Sequence, residues 1–158
     1  MGAESLTDEE IQRLQTMRKT VTWASKEFVQ RNQGLLADFE LEGDDGTKFA
    51  VYARQNLRIK EDFSCGLRVK LQSGEEVTLC RYNGPSHVHP NPLENQTLKF
   101  VCHVHEATER YIAIGKKPEH FARESSAYDS LTSAASCLAK DCNIAGLVLP
   151  NLQQGLFK

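Results

Sequence analysis

The sequence has no Cys-x-x-Cys pair, no long hydrophobic run and no excess of either charge. Each scarcity removes a class of protein. Cys65, Cys80, Cys102, Cys137 and Cys142 are odd in number, which argues against a disulfide framework and for reduced thiols, several of them buried as small apolar side chains. The longest purely apolar stretch, Ile144 to Leu149, is far too short to span a bilayer. Met1 to Ser5 leads straight into a capped helix, so no secretory leader is read there and a cytoplasmic, membrane-free protein is expected. With 19 Lys and Arg against 21 Asp and Glu, the chain lacks the overall basic footprint of a nucleic-acid binder. Internal repeats and linkers are also missing. At 158 residues and 40% hydrophobic content, one globular domain over 1–158 is expected.

What charge asymmetry exists is local. Residues 46–120 carry 11 basic and 8 acidic side chains, and the flanks carry 8 and 13. A mildly basic centre permits an anionic ligand, although a mixed, solvated surface has the same numbers.

The chain opens with Leu6-Thr7-Asp8-Glu9-Glu10-Ile11. Thr7 can cap a helix, Glu10 stands at the capping-box position, and Leu6 can staple onto Ile11. Ile11, Leu14, Met17 and Val21 give a narrow apolar stripe. A second helical piece is predicted through Trp23 to Arg31, with Trp23 in the core. From Leu35 the period becomes two. Segments 35–41, 49–53, 63–71 and 77–81, separated by turns, predict an antiparallel meander with one covered and one polar face, on which Arg68 and Lys70 read as solvated. A fifth strand is predicted over Leu98–Glu106, and Ser125 or Ser126 is expected to cap a last helix ahead of an apolar tail. The fold class is therefore α+β: an antiparallel sheet of five or six strands (35–114), flanked by a helical part at 6–32 and a helix with its tail at 125–158. The tail could dock on the domain itself or join two copies into a homodimer.

All five histidines lie between Arg81 and His120. They form two His-x-His pairs, His87/His89 in a Pro/Asn-rich loop and His103/His105 in the fifth strand, with His120 alone and expected on the surface. Residues two apart in a strand point the same way, so His103 and His105 should share one face.

Imidazole moves protons near neutral pH and is also the commonest metal ligand. Two chemistries follow. In the first, His87, His89, His103 and His105 are proton-transfer groups, and Arg81, Tyr82 and Arg110 hold substrate. Such a set could cleave RNA through its 2′-hydroxyl with no cofactor. In the second, His87, His89, His103 and His105 with Glu106 or Glu109 ligate zinc, manganese or iron. A third reading makes the protein a non-enzymatic binding module for a protein partner, with structural or metal-bound histidines.

Two resemblances bear on this choice. The run His103-x-His105-x-Ala107-Thr108-Glu109-Arg110-Tyr111, with Glu119-His120-Phe121-Ala122 and Asp141-Cys142-Asn143-Ile144, resembles a bacterial family known only as a domain of unknown function. Arg81-Tyr82-Asn83-Gly84-Pro85-Ser86-His87, followed after a spacer by His103-Val104-His105, is similar to the TumE family of toxins from toxin–antitoxin pairs, with Asn83-Gly84 standing where that family has Asp-Asn. The second resemblance covers about residues 80 to 106. It implies growth arrest through RNA and a cognate antitoxin as partner; the binding-module reading, by contrast, makes the protein a defence or anti-defence component.

Overall fold

A computed structural model of the chain describes residues 2–152. Its elements run in the order α1 (Asp8–Thr16), β1 (Lys19–Ala24), β2 (Val29–Arg31), β3 (Gly34–Gly43), β4 (Lys48–Asn56), β5 (Phe63–Lys70), β6 (Glu76–Asn83), β7 (Val88–Asn91), β8 (Gln96–Lys99), β9 (His103–Glu106), α2 (Glu109–Ala113), β10 (Phe121–Glu124), α3 (Leu131–Asp141) and β11 (Ile144–Ala145). Nine strands form one sheet in the order β10-β9-β6-β5-β4-β3-β1-β11, with β2 also on β3. Every pairing is antiparallel except β1 with β11. β7 and β8 make a separate hairpin. No helix among the described residues is long and apolar enough to cross a membrane.

Alternation builds the core. Phe39, Leu41, Val51, Leu67, Val69, Leu79 and Val104 are buried on one face of the sheet, under Ile11 and Leu14 of α1 and Leu131, Ala134, Ala135 and Leu138 of α3. Thr7 caps α1 as expected, its hydroxyl accepting from the Glu10 amide at 3.1 Å. Lys19 is fully buried where the chain enters the sheet. Its ammonium donates at 2.8 Å to each of the Gln15, Met17 and Cys142 carbonyls, joining the C-terminal ends of α1 and α3.

The α+β class holds, but five or six strands is too few. The segments missed are short and carry little period. Trp23–Arg31 is not helical: β1 and β2 lie along β3, interrupted between Ala24 and Val29. A bulge between Val21 and Trp23 turns Trp23 onto the polar side, 53% exposed. The expected fifth strand is two elements, because Phe100 adopts a positive φ of 52° and sends β8 to β7 while β9 pairs with β6 and β10. The cap of α3 is Ser130, in a reciprocal capping box with Ser133, five residues beyond Ser125. In the tail, Ile144–Ala145 docks on β1 within the chain; residues 153–158 lie outside the described part.

Candidate functional site: a five-histidine cluster

The sheet's polar face places the histidines. Two rows cross it at right angles to the strands, one through Arg54, Ser64, Asn83 and His103, the other through Tyr52, Gly66, Arg81 and His105. The β7–β8 hairpin brings His89 onto this end, and the turn before β10 brings His120. Ring centroids link all five histidines: His87–His103 at 4.8 Å, His103–His105 at 5.1 Å, His89–His105 at 4.6 Å and His89–His120 at 5.2 Å. The loop pair and the strand pair thus meet in one cluster. His120, expected at the surface, joins it and lies 5.0 Å from the buried Tyr111 ring.

The hydrogen bonds fix the tautomers. His103 donates from Nδ1 to the Val101 carbonyl at 2.9 Å, and His105 donates from Nδ1 to the Glu119 carbonyl at 3.0 Å. A carbonyl can only accept, so in each neutral ring Nε2 keeps its lone pair. His89 is reversed. Asn91 donates its amide to the Ala122 carbonyl at 2.7 Å and accepts from the Ala122 N–H at 3.0 Å, which orients it so that His89 Nε2 donates to Asn91 Oδ1 at 3.1 Å. Among the described residues, four buried side-chain atoms have no hydrogen-bond partner: His103 Nε2, His105 Nε2, His120 Nε2 and Asn83 Oδ1. Asn83 Oδ1 is an acceptor by nature, and His103 Nε2 and His105 Nε2 are acceptors in these assignments. A site of unpaired acceptors calls for a cation or a strong donor.

Burial pushes His103 down from the ordinary 6.5 to about 4. Burial, with the Arg81 charge second, pushes His105 down to about 2. Burial also lowers His89. His103 and His105 are therefore neutral at pH 7, suited to donating lone pairs and poorly suited to carrying protons. Between the folded values and 6.5 the unfolded chain binds more protons. Stability from these rings is thus complete above about pH 6.5 and falls as the pH drops. In the metal-free protein, going from pH 7.5 to pH 5 is expected to cost roughly 2 kcal/mol per ring. Thermal melts across that range check this: a flat profile, or the same slope in a His103→Asn/His105→Asn double variant, would refute it.

The other residues read from sequence divide. Arg81 stands at the cluster, in register with His105, with Glu119 Oε2 3.4 Å from its guanidinium. Tyr82 does not, because it points to the core face and its hydroxyl bonds Asp141. Glu106 also leaves the set: one residue on from His105, it faces the other way and pairs with Arg123. Arg110 pairs with Glu94 at 2.7 Å over the Phe121 ring, and the Tyr111 hydroxyl bonds the same carboxylate, so both hold the 92–94 turn. Glu109 is taken by the Asp8 amide. Asn83, Asn91 and His120 belong to the site and were not read as such. Asn83 and Asn91 sit among other turn-forming residues, where an asparagine is ordinarily a turn residue.

His87, His103 and His105 each bring a ring nitrogen within 4.8 Å of the others. Zinc bonded at about 2.0–2.1 Å would draw such nitrogens to roughly 3.4 Å apart. The exposed His87 on its loop can supply that movement. Backbone carbonyls already hold the outer nitrogens of His103 and His105, as they do behind metal-ligating imidazoles. No protein-family model matches the chain, and no curated protein or solved structure matches it.

Proposed function

We propose that His87, His103 and His105 bind a divalent transition metal, zinc before manganese, and that the protein is a metal-dependent phosphodiesterase acting on RNA. One observation carries the reading: the carbonyl-anchored imidazoles of His103 and His105 leave buried Nε2 atoms with no donor, and His87, His103 and His105 bring ring nitrogens within 4.8 Å of one another. Rings fixed as neutral lone-pair donors are better ligands than acid–base catalysts, so the metal-independent scheme with four proton-carrying histidines gives way to three ligands. His89, whose Nε2 is committed to Asn91, braces the group.

A metal held by His87, His103 and His105 would supply an acidified water as nucleophile. Asn83 Oδ1, in register with His103 and without a donor, would serve as an acceptor for a hydrogen of a water at this site. Arg81 offers N–H groups to the charge that builds on a phosphoryl oxygen. RNA as substrate rests on the toxin-like arrangement of Arg81, His87, His103 and His105. It carries the expectation of growth arrest in cells lacking a protein partner that covers the site.

Protein purified without a histidine tag is expected to contain about one equivalent of metal. It should cleave a fluorogenic RNA, lose that activity to a chelator, and regain it with zinc or manganese. Less than about a tenth of an equivalent after zinc supplementation would remove the metal, because a tetrahedral protein site of this kind does not release zinc readily. Stoichiometric metal without cleavage would leave a metal-stabilised binding module instead.

A further inference from the structure

We infer that the polar sheet face beside the cluster binds a single-stranded polynucleotide, with Arg68 on Tyr52, Arg81 and Phe100 as its contact points. The inference rests on the phosphodiesterase reading and names the form of substrate that reading takes.

Tyr52 and His105 end one row across β4, β5, β6 and β9, three strand steps or roughly 14 Å apart. The residue between Tyr52 and Arg81 is Gly66. A Cβ there would lie 2.5 Å from the Tyr52 ring, so the missing side chain lets the ring lie down across the sheet. The Arg68 guanidinium rests on that ring, 4.5 Å from its centroid. Arg68 has no carboxylate within ion-pair distance among the described residues, unlike Arg54, tied to Asp62 at 2.6 Å. A guanidinium plane that is flat, exposed and free can take a phosphate on its edge and a base on its face. Arg81, with its looser contact to Glu119, lies between this ledge and the histidines.

A second aromatic, Phe100, is tied through its backbone to the His87 end of the cluster. The Phe100 amide donates to the His87 carbonyl at 3.3 Å, and its side chain is 64% exposed on a backbone with φ of 52°. A large apolar ring presented to solvent from an unfavourable conformation is poor packing and good stacking surface. Arg81 within the row, Arg68 laid on the Tyr52 ring that begins it, and an exposed aromatic on the segment bonded to His87 match the alternating phosphates and bases of an unpaired strand.

The test is binding of fluorescent nine-nucleotide oligouridylate and oligodeoxyuridylate, phosphorothioate-linked to resist cleavage, to the full-length protein as purified. Tyr52→Ala and Phe100→Ala are expected to weaken binding by roughly 10-fold each. Arg68→Ala should weaken it several-fold and lower the salt slope by about one. Gly66→Ala, which lifts the ring, should match Tyr52→Ala, whereas Tyr52→Phe should bind like wild type. Circular dichroism and melting confirm that each variant is folded. The ratio of the two oligomers assigns the sugar. Tighter binding to a duplex of the same length, or wild-type affinity in Tyr52→Ala and Phe100→Ala alike, would overturn the inference. Metal-dependent cleavage surviving that result would leave the phosphodiesterase standing; strand binding without metal or cleavage would remove the phosphodiesterase and keep the strand.

Discussion

His103→Ala is expected to weaken zinc binding on the order of a thousandfold, since a structural zinc is held by roughly 10–16 kcal/mol shared among its ligands. The ring is wholly inaccessible to solvent, donates to Val101 and contributes one of the three convergent nitrogens. Its removal leaves two ligands, one of them on an exposed loop. Zinc should then no longer raise the melting temperature, and cleavage should disappear with it. A cavity in a packed site also costs stability, so His103→Asn is the sharper variant. The Asn amide can keep the bond to the Val101 carbonyl while presenting no imidazole lone pair. Isothermal titration with zinc and melts with and without it decide the matter. Undiminished zinc affinity in His103→Asn would show that the three rings are not the ligands.

The second large effect is expected at Gly84, between Asn83 and the loop that carries His87. A Cβ on Gly84 would sit 2.2 Å from the Glu61 carbonyl oxygen and 2.7 Å from the Phe63 ring, and the Gly84 amide donates to the Phe63 carbonyl at 3.0 Å. A backbone oxygen cannot step aside as a flexible side chain can. Gly84→Ala is therefore expected to cost about 3 kcal/mol, at or above the usual range for overpacking. In a chain of this size that lowers the melting temperature by roughly 6–12 °C. Zinc affinity should fall too, because the strand exit moves and His87 with it. Gly74→Ala is the comparison: its φ of 90° is strained for alanine, but nothing lies within 4 Å of the added carbon. A Gly84→Ala protein that melts with wild type would mean that β6 leaves the sheet by another path.

The cluster was legible because its chemistry is rare in the chain and concentrated in one quarter of it. His103 and His105 share a face by simple alternation, and the meander from β3 to β6 is written in alternating apolar residues. What escaped leaves no side-chain pattern. The polar partners that set the tautomers, Val101, Glu119 and Asn91, act through backbone carbonyls or a single amide, and neither leaves a pattern in sequence. His120 looks like a surface residue after Pro118-Glu119 until β10 folds back beside β9. Tyr82 and Glu106 lie next to true site residues in the chain, yet each falls on the opposite side of the sheet. The helix expected at 23–31 fails for a related reason: a one-residue bulge changes which side Trp23 faces, and no periodicity announces it.

The Asn91 side chain has one more effect. By occupying both the N–H and the C=O of Ala122 on β10, it acts as a one-residue stand-in for a neighbouring strand. That is where another molecule would otherwise begin to pair, and the far border of the sheet is only the two-residue β11. The amide that orients His89 therefore also leaves Ala122 with no free N–H or C=O for a neighbouring strand to pair with.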